Sequence, residues 1–369
     1  MAWYNSNWGY RVKLTVDSSK VGSDLTDFPI FIDLSEMPSD FWTHVKTDGA
    51  DIRITKSDQT TEVAREVVGL STGTSTGEVH FTTDGTLSSS SDTDFYIYYG
   101  NASASDYART ATYGADNVWD SNYGLVAHMT EDPSGTAPQM LNSAGGGLDN
   151  GTSSGSMTSG DLVAAEVYKG LEFDGSNDYI DHGDPSTFFN SVTQLSATIV
   201  AKRDNLSGLD VPLTNKTSGG SNTNKIIITS IGTTGKMVIE TGGSSVKFGR
   251  TATGISTGTW YCFGFNGTTN DTSAVEIYFN GVSQTLEAGA SINVGSLTLD
   301  QTMRAGGGEA NSRYWDGNIS EVRLSKIVRD ADWLAAEYES LLNPDTFMTY
   351  SAEEAQSGTS FTPRSILIE

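Results

Sequence analysis

The sequence predicts an all-β protein, two β-sandwiches in tandem with one short helix near the C-terminus. Two patterns lead there. Apolar and polar residues alternate in many short runs, the period of a strand with one buried face. Gly, Ser, Asn and Asp separate these runs about every ten residues, as turns separate the strands of a sandwich. Composition agrees: 369 residues include 40 glycines, with 36% hydrophobic and 10% aromatic residues. That supplies turns and enough side-chain volume for two cores.

The first sandwich is expected over residues 1–105. Tyr10, Val12, Leu14 and Val16 alternate with Arg11, Lys13 and Thr15, which reads as a strand with one wet face. Phe28, Ile30, Ile32 and Leu34 repeat the pattern. Phe41, Trp42 and Val45 suggest a short helix or a packed loop. Ile52 and Ile54, Val67 and Val68, then Val79 and Phe81 mark further strands. Phe95 to Tyr99 is an aromatic strand closed by Gly100-Asn101. Residues 106–122, rich in Ala, Ser, Asp and Gly, read as a junction.

The second sandwich is expected over residues 123–350. Tyr123 to Met129 opens it, and the Gly/Ser/Asn-rich residues 132–160 form a long surface loop within it. Gly170 to Gly183 reads GLEFDGSNDYIDHG: a strand, turn formers from Asp174 to Asp178, then a resumed strand. This is a hairpin or a strand-turn-strand corner, and Tyr314 to Ser325 (YWDGNISEVRLS) looks like its partner. Strands at 195–202, 226–231, 236–240, 260–265 and 275–280 lie between them. Asn280-Gly281 suits a tight hairpin turn, where both positions need positive φ. Trp260 and Trp333 are assigned to the core, and Cys262 to a buried thiol. Asp330 caps the helix, Leu334, Tyr338 and Leu341 share its apolar face, and Asn343-Pro344 ends it. Residues 351–369 form a polar tail whose Phe361 and Ile366-Leu367-Ile368 suggest docking onto another subunit.

Four segments of the first block, Trp8-Gly9-Tyr10-Arg11, Leu25-Thr26-Asp27-Phe28-Pro29, Gly49-Ala50-Asp51-Ile52-Arg53 and Tyr96-Ile97-Tyr98-Tyr99-Gly100-Asn101, follow one order and spacing. In these the block resembles the DUF2341 family, small β-sandwich domains of bacterial surface proteins and phage proteins. The second block carries GLEFDGSNDYID (170–181), GTWYCFGF (258–265), VEIYFNGV (275–282), WDGNISEVRLS (315–325) and DADWLAAEY (330–338). It resembles a concanavalin A-like, laminin-G-type jelly roll. That fold serves lectins, glycan-binding modules, glycosidases, adhesion domains and scaffolds, so the resemblance implies a fold and leaves the function open.

Charge and motif content narrow the choice. A net charge of −24 and a pI near 4.3 repel nucleic acid and favour divalent cations. Cys262 is the lone cysteine, so neither an internal disulfide nor a cysteine zinc cluster is available. No apolar run reaches the length of a membrane span, and no basic and apolar leader opens the chain. A virion protein released by lysis is the location expected, an extracellular one the alternative.

Glycosidases of this fold place Glu-x-Asp-x-x-Glu on one strand, and no such run occurs. The four histidines stand in unrelated contexts, with His128 read as a packed residue, and no Gly-x-Ser-x-Gly elbow is present. The expectation is therefore no enzyme. Calcium is the one inorganic ligand to weigh: Asp174, Asn177 and Asp178 offer oxygens in one turn, and Asp316 adds another if the two stretches pair. The jelly-roll resemblance also implies calcium, while the plain reading is turn residues. For sugar, Tyr314 and Trp315 beside Asn311 and Arg313 form the candidate platform, and core packing is the plain reading of Trp315.

The function expected is a non-enzymatic virion surface protein, a decoration, fibre or tail-associated protein that binds a cell-surface glycan or polysaccharide. A homo-oligomer is expected, touching other virion proteins through the N-terminal domain or the C-terminal tail. A purely structural virion protein, and a secreted glycan-active enzyme or its binding module, are the alternatives.

Overall fold

The computed structural model describes residues 2–216, 224–242, 246–273, 275–290, 293–308 and 313–356. The first part of the chain forms β1 (Tyr10–Val16), β2 (Leu25–Thr26), β3 (Pro29–Asp33), α1 (Phe41–His44), β4 (Arg53–Lys56), β5 (Glu62–Val63), β6 (Arg65–Ser71), β7 (Thr76–Thr82), β8 (Thr86–Leu87) and β9 (Thr93–Tyr99). The next part forms β10 (Tyr123–Ala127), β11 (Thr152–Ser154), β12 (Leu162–Ala164), β13 (Lys169–Asp174), β14 (Tyr179–Asp181), β15 (Gln194–Arg203), β16 (Leu209–Thr214), β17 (Lys225–Ile231), β18 (Lys236–Gly242), β19 (Val246–Gly254), β20 (Trp260–Thr268), β21 (Glu276–Phe279), β22 (Val282–Ser283), β23 (Leu286–Ala290), β24 (Arg304–Ala305) and β25 (Asp316–Ser325). Then come α2 (Ala331–Leu342), α3 (Pro344–Phe347), β26 (Met348–Tyr350) and β27 (Glu354–Ala355).

The larger sheets stack as layers. The outermost runs β26-β1-β9-β4-β5, with β27 also on β1, and it packs on β3-β7-β6. Val12, Leu14, Ile54 and Ile97 meet Ile30, Ile32, Val79 and Phe81 in that core. Next come β12-β13-β25-β15-β20-β21-β22, with β10 also on β25, and then β11-β14-β24-β16-β17-β18-β19-β23. Phe173, Ile199, Phe263 and Ile319 from the one meet Ile180, Leu213, Ile228 and Ile239 from the other. Each such side chain contributes about 1.5–3 kcal/mol by leaving water. The period of two then decides what the remaining faces carry. Phe31 on β3 and Glu78 and His80 on β7 point away from the first core. Val200, Cys262 and Arg323 on β15, β20 and β25 point away from the second. These faces meet: Phe31, Val200 and Cys262 form one buried cluster. The expected all-β fold of two sandwiches is thus observed.

Two local expectations resolve in detail. β13 pairs with β25 with Leu171 opposite Ile319, Phe173 opposite Gly317 and Asp174 opposite Asp316, so the two stretches are partners. β13 and β14 are a corner and not a hairpin, because β14 joins the other sheet, between β11 and β24. The corner packs tightly: a Cβ on Gly306 would sit 2.2 Å from the Phe173 ring. Asn280 and Gly281 have φ of +49° and +73°, the conformation their turn requires.

The C-terminal segment corrects the expected boundaries. β26 pairs with β1, Leu14 opposite Tyr350, and β27 places Glu354 opposite Arg11. Residues 348–355 thus complete the first sandwich, and the second does not extend to 350 nor the tail begin at 351. Without them β1 would present a bare sheet edge. Phe361 and residues 366–368 lie outside the described residues. α2 is wedged between the sandwiches. The Asp330 carboxylate accepts from Trp333 N at 2.8 Å and caps it. Trp333 meets Phe28 edge-on in the first core at 5.0 Å, while Leu341 joins Phe31, Val200 and Cys262. Trp260, expected in the core, is half-buried beside that cluster.

The outer face of β1 is partly wet, at Lys13 and Thr15, and closed at Arg11. Arg11 is 1% exposed, its guanidinium 4.6 Å from the Trp3 ring and 4.7 Å from Tyr96. Trp8 Nε1 donates to Asp51 O, and the Asp51 carboxylate accepts from the N–H groups of Gly100 and Asn101. Three of the four segments that resemble DUF2341 are tied together here, in a structural role.

In the seam between sandwiches, Arg323 pairs with Glu321 at 2.7 Å and with Glu337 of α2 at 3.0 Å. Thr198 and Tyr123 donate to the same Glu337 carboxylate. Removing one member of a buried ionic set leaves its partner uncompensated, at a cost of about 3 kcal/mol. Glu337→Ala is expected to lower the unfolding free energy by that amount, read as a lower urea midpoint at unchanged slope, and Glu337→Gln, which keeps hydrogen bonding, by less.

Candidate functional site

The outward face of the β11-to-β23 sheet carries the main concavity. Register fixes which residues line it. Ile180 pairs with Ala305 and both point into the core, so Tyr179, Asp181 and Arg304 point outward. Thr152 and Ser154 on β11 lie opposite Asp181 and Tyr179. A groove of 710 Å³ opens here, lined by Tyr179, Asp181, Asn150, Thr152, Ser153 and Pro138.

One wall is a stacked set. The Tyr179 and Tyr314 rings lie 6.4 Å apart and 26° from parallel. The Arg304 guanidinium sits 4.3 Å from the Tyr179 ring centre, and its Nε is 3.3 Å from Asp181 Oδ2. An aromatic face held by a cation, with a carboxylate, an amide and hydroxyls beside it, can stack an apolar ring face and bind its rim hydroxyls. Arg313 lines a neighbouring hollow of 280 Å³ with Leu209, Phe248 and Arg250.

The sequence-predicted platform is only partly assembled. Tyr314 stacks on Tyr179, which lines the groove, and Asn311 lies outside the described residues. Trp315 is corrected: it is 0% exposed and belongs to the second core. The cause is the bridge of Tyr314 to Gly307, with Trp315 N donating to Gly306 O, which turns the next side chain inward. Tyr179, Arg304 and Asp181 were missed. The one signal was alternation in Tyr179-Ile180-Asp181, which identifies the outward pair but not what faces it.

The predicted metal ligands do come near one another. Asp174 and Asp316 are cross-strand partners, and the Asp316 carboxyl sits above its usual range through burial and then the nearby Asp204 and Asp174 carboxylates. Asp178 is pushed up to about 6, mainly by burial. These oxygens are largely committed, however. Asp174 Oδ1 accepts from Ser176 N and Asn177 N, Asp178 Oδ2 from Asp174 N, and Asp316 Oδ2 from the Asn205 amide. The corner uses its carboxylates to close turns. Among the described residues, the His, Cys, Asp and Glu ligand atoms that converge in a group of three are those of Glu78, His80 and His128, within 4.8 Å of one another.

No family model matches the chain, and no curated protein does. Solved structures with a similar fold include domain 4 of AbnA, an extracellular GH43 arabinanase from Geobacillus stearothermophilus, in complex with arabinotriose. It is 17% identical over 58% of this chain and 97% of that one, with a TM-score of 0.45. The sialidase CBM40 of Ruminococcus gnavus, bound to α2,3-sialyllactose, is 14% identical over 46% of this chain and 96% of its own, with a TM-score of 0.36. The receptor-binding domain of botulinum neurotoxin mosaic serotype C/D is 14% identical over 59% and 51%, with a TM-score of 0.44. At these values the likeness concerns fold and carries no statement about ligands.

Beneath the groove, His182 is fully buried at the end of β14. Its Nδ1 faces Asp149 O at 3.4 Å, and burial pushes its pKa down to about 4. The unfolded chain therefore binds this proton more tightly. The neutral ring's contribution is complete above the unfolded value of 6.5 and is lost as pH falls toward 4. Between pH 7 and 5 the loss is about 2 kcal/mol. His182→Gln is expected to flatten that part of the stability-versus-pH curve, measured by urea unfolding at each pH.

Proposed function

We propose that this chain is a non-enzymatic carbohydrate-binding surface protein whose second sandwich takes a glycan in the Tyr179 groove. The observation that carries this reading is the outward Tyr179 ring, held by Arg304 and Tyr314 and bordered by Asp181, Asn150 and Thr152. Sugars combine an apolar CH face with a rim of hydroxyls, and this wall offers one surface for each. The acidic charge of −24 suits a neutral or cationic glycan over an anionic one, which the charge would repel. Placement on a virion, with the first sandwich facing other virion proteins, is the finer part of the proposal. It rests on the DUF2341 resemblance of residues 1–105.

Calcium enters this reading as a ligand of the Asp174–Asp316 corner, where it would have to displace backbone N–H donors. A melting temperature lowered by chelator and restored by calcium supports it, provided Asp174→Asn removes the effect. An unchanged melting temperature takes calcium out of the reading.

The groove is tested by Tyr179→Ala. Glycan-array retention is expected to fall at least about tenfold, the loss of one stacking contact, with the melting temperature little changed. Trp315→Ala is expected to act differently, destabilising by about 3–5 kcal/mol as a core truncation. Full retention by Tyr179→Ala would overturn the assignment of the groove.

A further inference from the structure

The seam between the sandwiches holds more negative charge than its cations can balance. Glu66, Glu78, Glu321 and Glu337 are each at most 3% exposed. Facing them are Arg323, 2% exposed, and Arg109 at the rim, 3.2 Å from Glu66. Glu66 is also served by Trp119 Nε1 and the Ser143 hydroxyl. Arg109 is shared with Asp116 at 2.9 Å, and Arg329, paired with Asp120, also acts on Glu337, so the carboxylates here outnumber the guanidinium groups in a place where unpaired charge is very costly.

Two imidazoles stand where the deficit lies. His80, from β7 of the first sandwich, places Nε2 2.8 Å from Glu78 Oε1. His128, just after β10 of the second, places Nδ1 3.2 Å from the same oxygen and 2.8 Å from Glu321 Oε2. The two rings stack with centroids 4.6 Å apart. One carboxylate oxygen is thus shared by two ring nitrogens, and one ring nitrogen by two carboxylates. Glu78 Oε1 has lone pairs for both rings, but the single proton on His128 Nδ1 lies along only one of its two lines at a time. Glu78 Oε2 and His80 Nδ1 are buried with no hydrogen-bond partner, so hydrogen bonding alone leaves the cluster incomplete.

We propose that Glu78, His80 and His128 bind a divalent transition-metal cation of the zinc type, which pins the two sandwiches together. A divalent cation adds positive charge where the carboxylates are in excess, with both imidazoles neutral. Two nitrogens and a carboxylate oxygen form a donor set that zinc accepts and that calcium or magnesium, which prefer all-oxygen shells, do not favour. The contacts of 2.8 and 3.2 Å to Glu78 Oε1 need to open by up to about half an ångström, and the ring nitrogens, within 4.8 Å of each other, need the stacked rings to turn so that both lone pairs meet the ion. Bonds of about 2.0–2.1 Å at tetrahedral angles set ligand atoms about 3.3 Å apart. Glu321 lies beside His128 and is placed to supply a fourth oxygen or to orient that ring. Because the ligands come from both sandwiches, binding is linked to their docking.

The test uses the full chain, stripped with a strong chelator and dialysed, with zinc or cobalt(II) added alone. Expected are one equivalent taken up by elemental analysis, a raised melting temperature, and visible cobalt bands of a low-coordinate nitrogen and oxygen site. His80→Gln is expected to weaken zinc at least about 100-fold, more than the loss of an outer-shell partner, and to abolish the bands. If His80→Gln does not fold, the wild-type cobalt spectrum and the stoichiometry decide alone. No uptake by the stripped wild-type chain, or uptake with no change in melting temperature, overturns the proposal and leaves protons as the balancing charge. Equal uptake by folded His80→Gln overturns it too, since the ion then sits elsewhere.

Discussion

The structure depends on a buried layer of charge between two β-sandwiches. A sheet face carrying Glu78 and His80 could not be left against an apolar surface. Neither could one carrying Glu321 and Arg323. Each sandwich satisfies its own inner face with aliphatic and aromatic side chains, but the faces that meet in the seam are satisfied by each other, by α2 and by Arg109, Trp119 and Ser143 of the segments beside them. Arg323 needs Glu337 from the helix as well as Glu321 beside it. Such groups stabilise less than apolar packing would, and breaking them is expensive. They make the relative placement of the sandwiches a requirement and not an option, since a shifted register would strand several charges at once.

α2 is the element that joins the two demands. Its Trp333 and Ala336 belong to the first core, its Leu341 to the apolar part of the seam, and its Glu337 to the charged part. Ser340 Oγ accepts from Phe31 N, on the strand face that points into the seam. After α2 the chain returns to the first sandwich as β26 and β27. The second sandwich is therefore an insertion between strands of the first. That arrangement ties both of its ends to the same neighbour and removes the freedom of a single linker.

Much of this was legible in the sequence, and the limits were physical. Alternation located the core faces, as in Phe28, Ile30 and Ile32, and Asp330 announced the helix start. The partnership of the 170–183 and 314–325 stretches was readable, while its register, Leu171 opposite Ile319, came from the structure. What alternation cannot show is the fate of the other face. Arg11 and Glu78 look like solvent-facing positions on a strand, and both are buried: Glu78 because the second sandwich covers it, Arg11 because Trp3, Tyr98 and Glu354 close over it. Trp315 was misplaced for a related reason: the bridge made by Tyr314 sets its direction, and that bridge depends on Gly306 and Gly307 far from the local pattern. The return of residues 348–355 to β1 is likewise a pairing between distant segments, and short strands carry too little pattern to specify a distant partner.

The candidate groove and the seam lie on opposite faces of the second sandwich, and this separation has a consequence. The groove is built on β11, β14 and β24, the seam on β10, β15 and β25, with an apolar core between them. A ligand in the groove meets Tyr179 and Asp181, whose neighbour Ile180 is locked in that core at 0% exposure. Close-packed cores transmit little unless an element has two stable arrangements. The groove wall is then pre-organised by the sandwich beneath it, so little ordering cost opposes binding. The seam meanwhile holds that wall at a fixed orientation on the first sandwich.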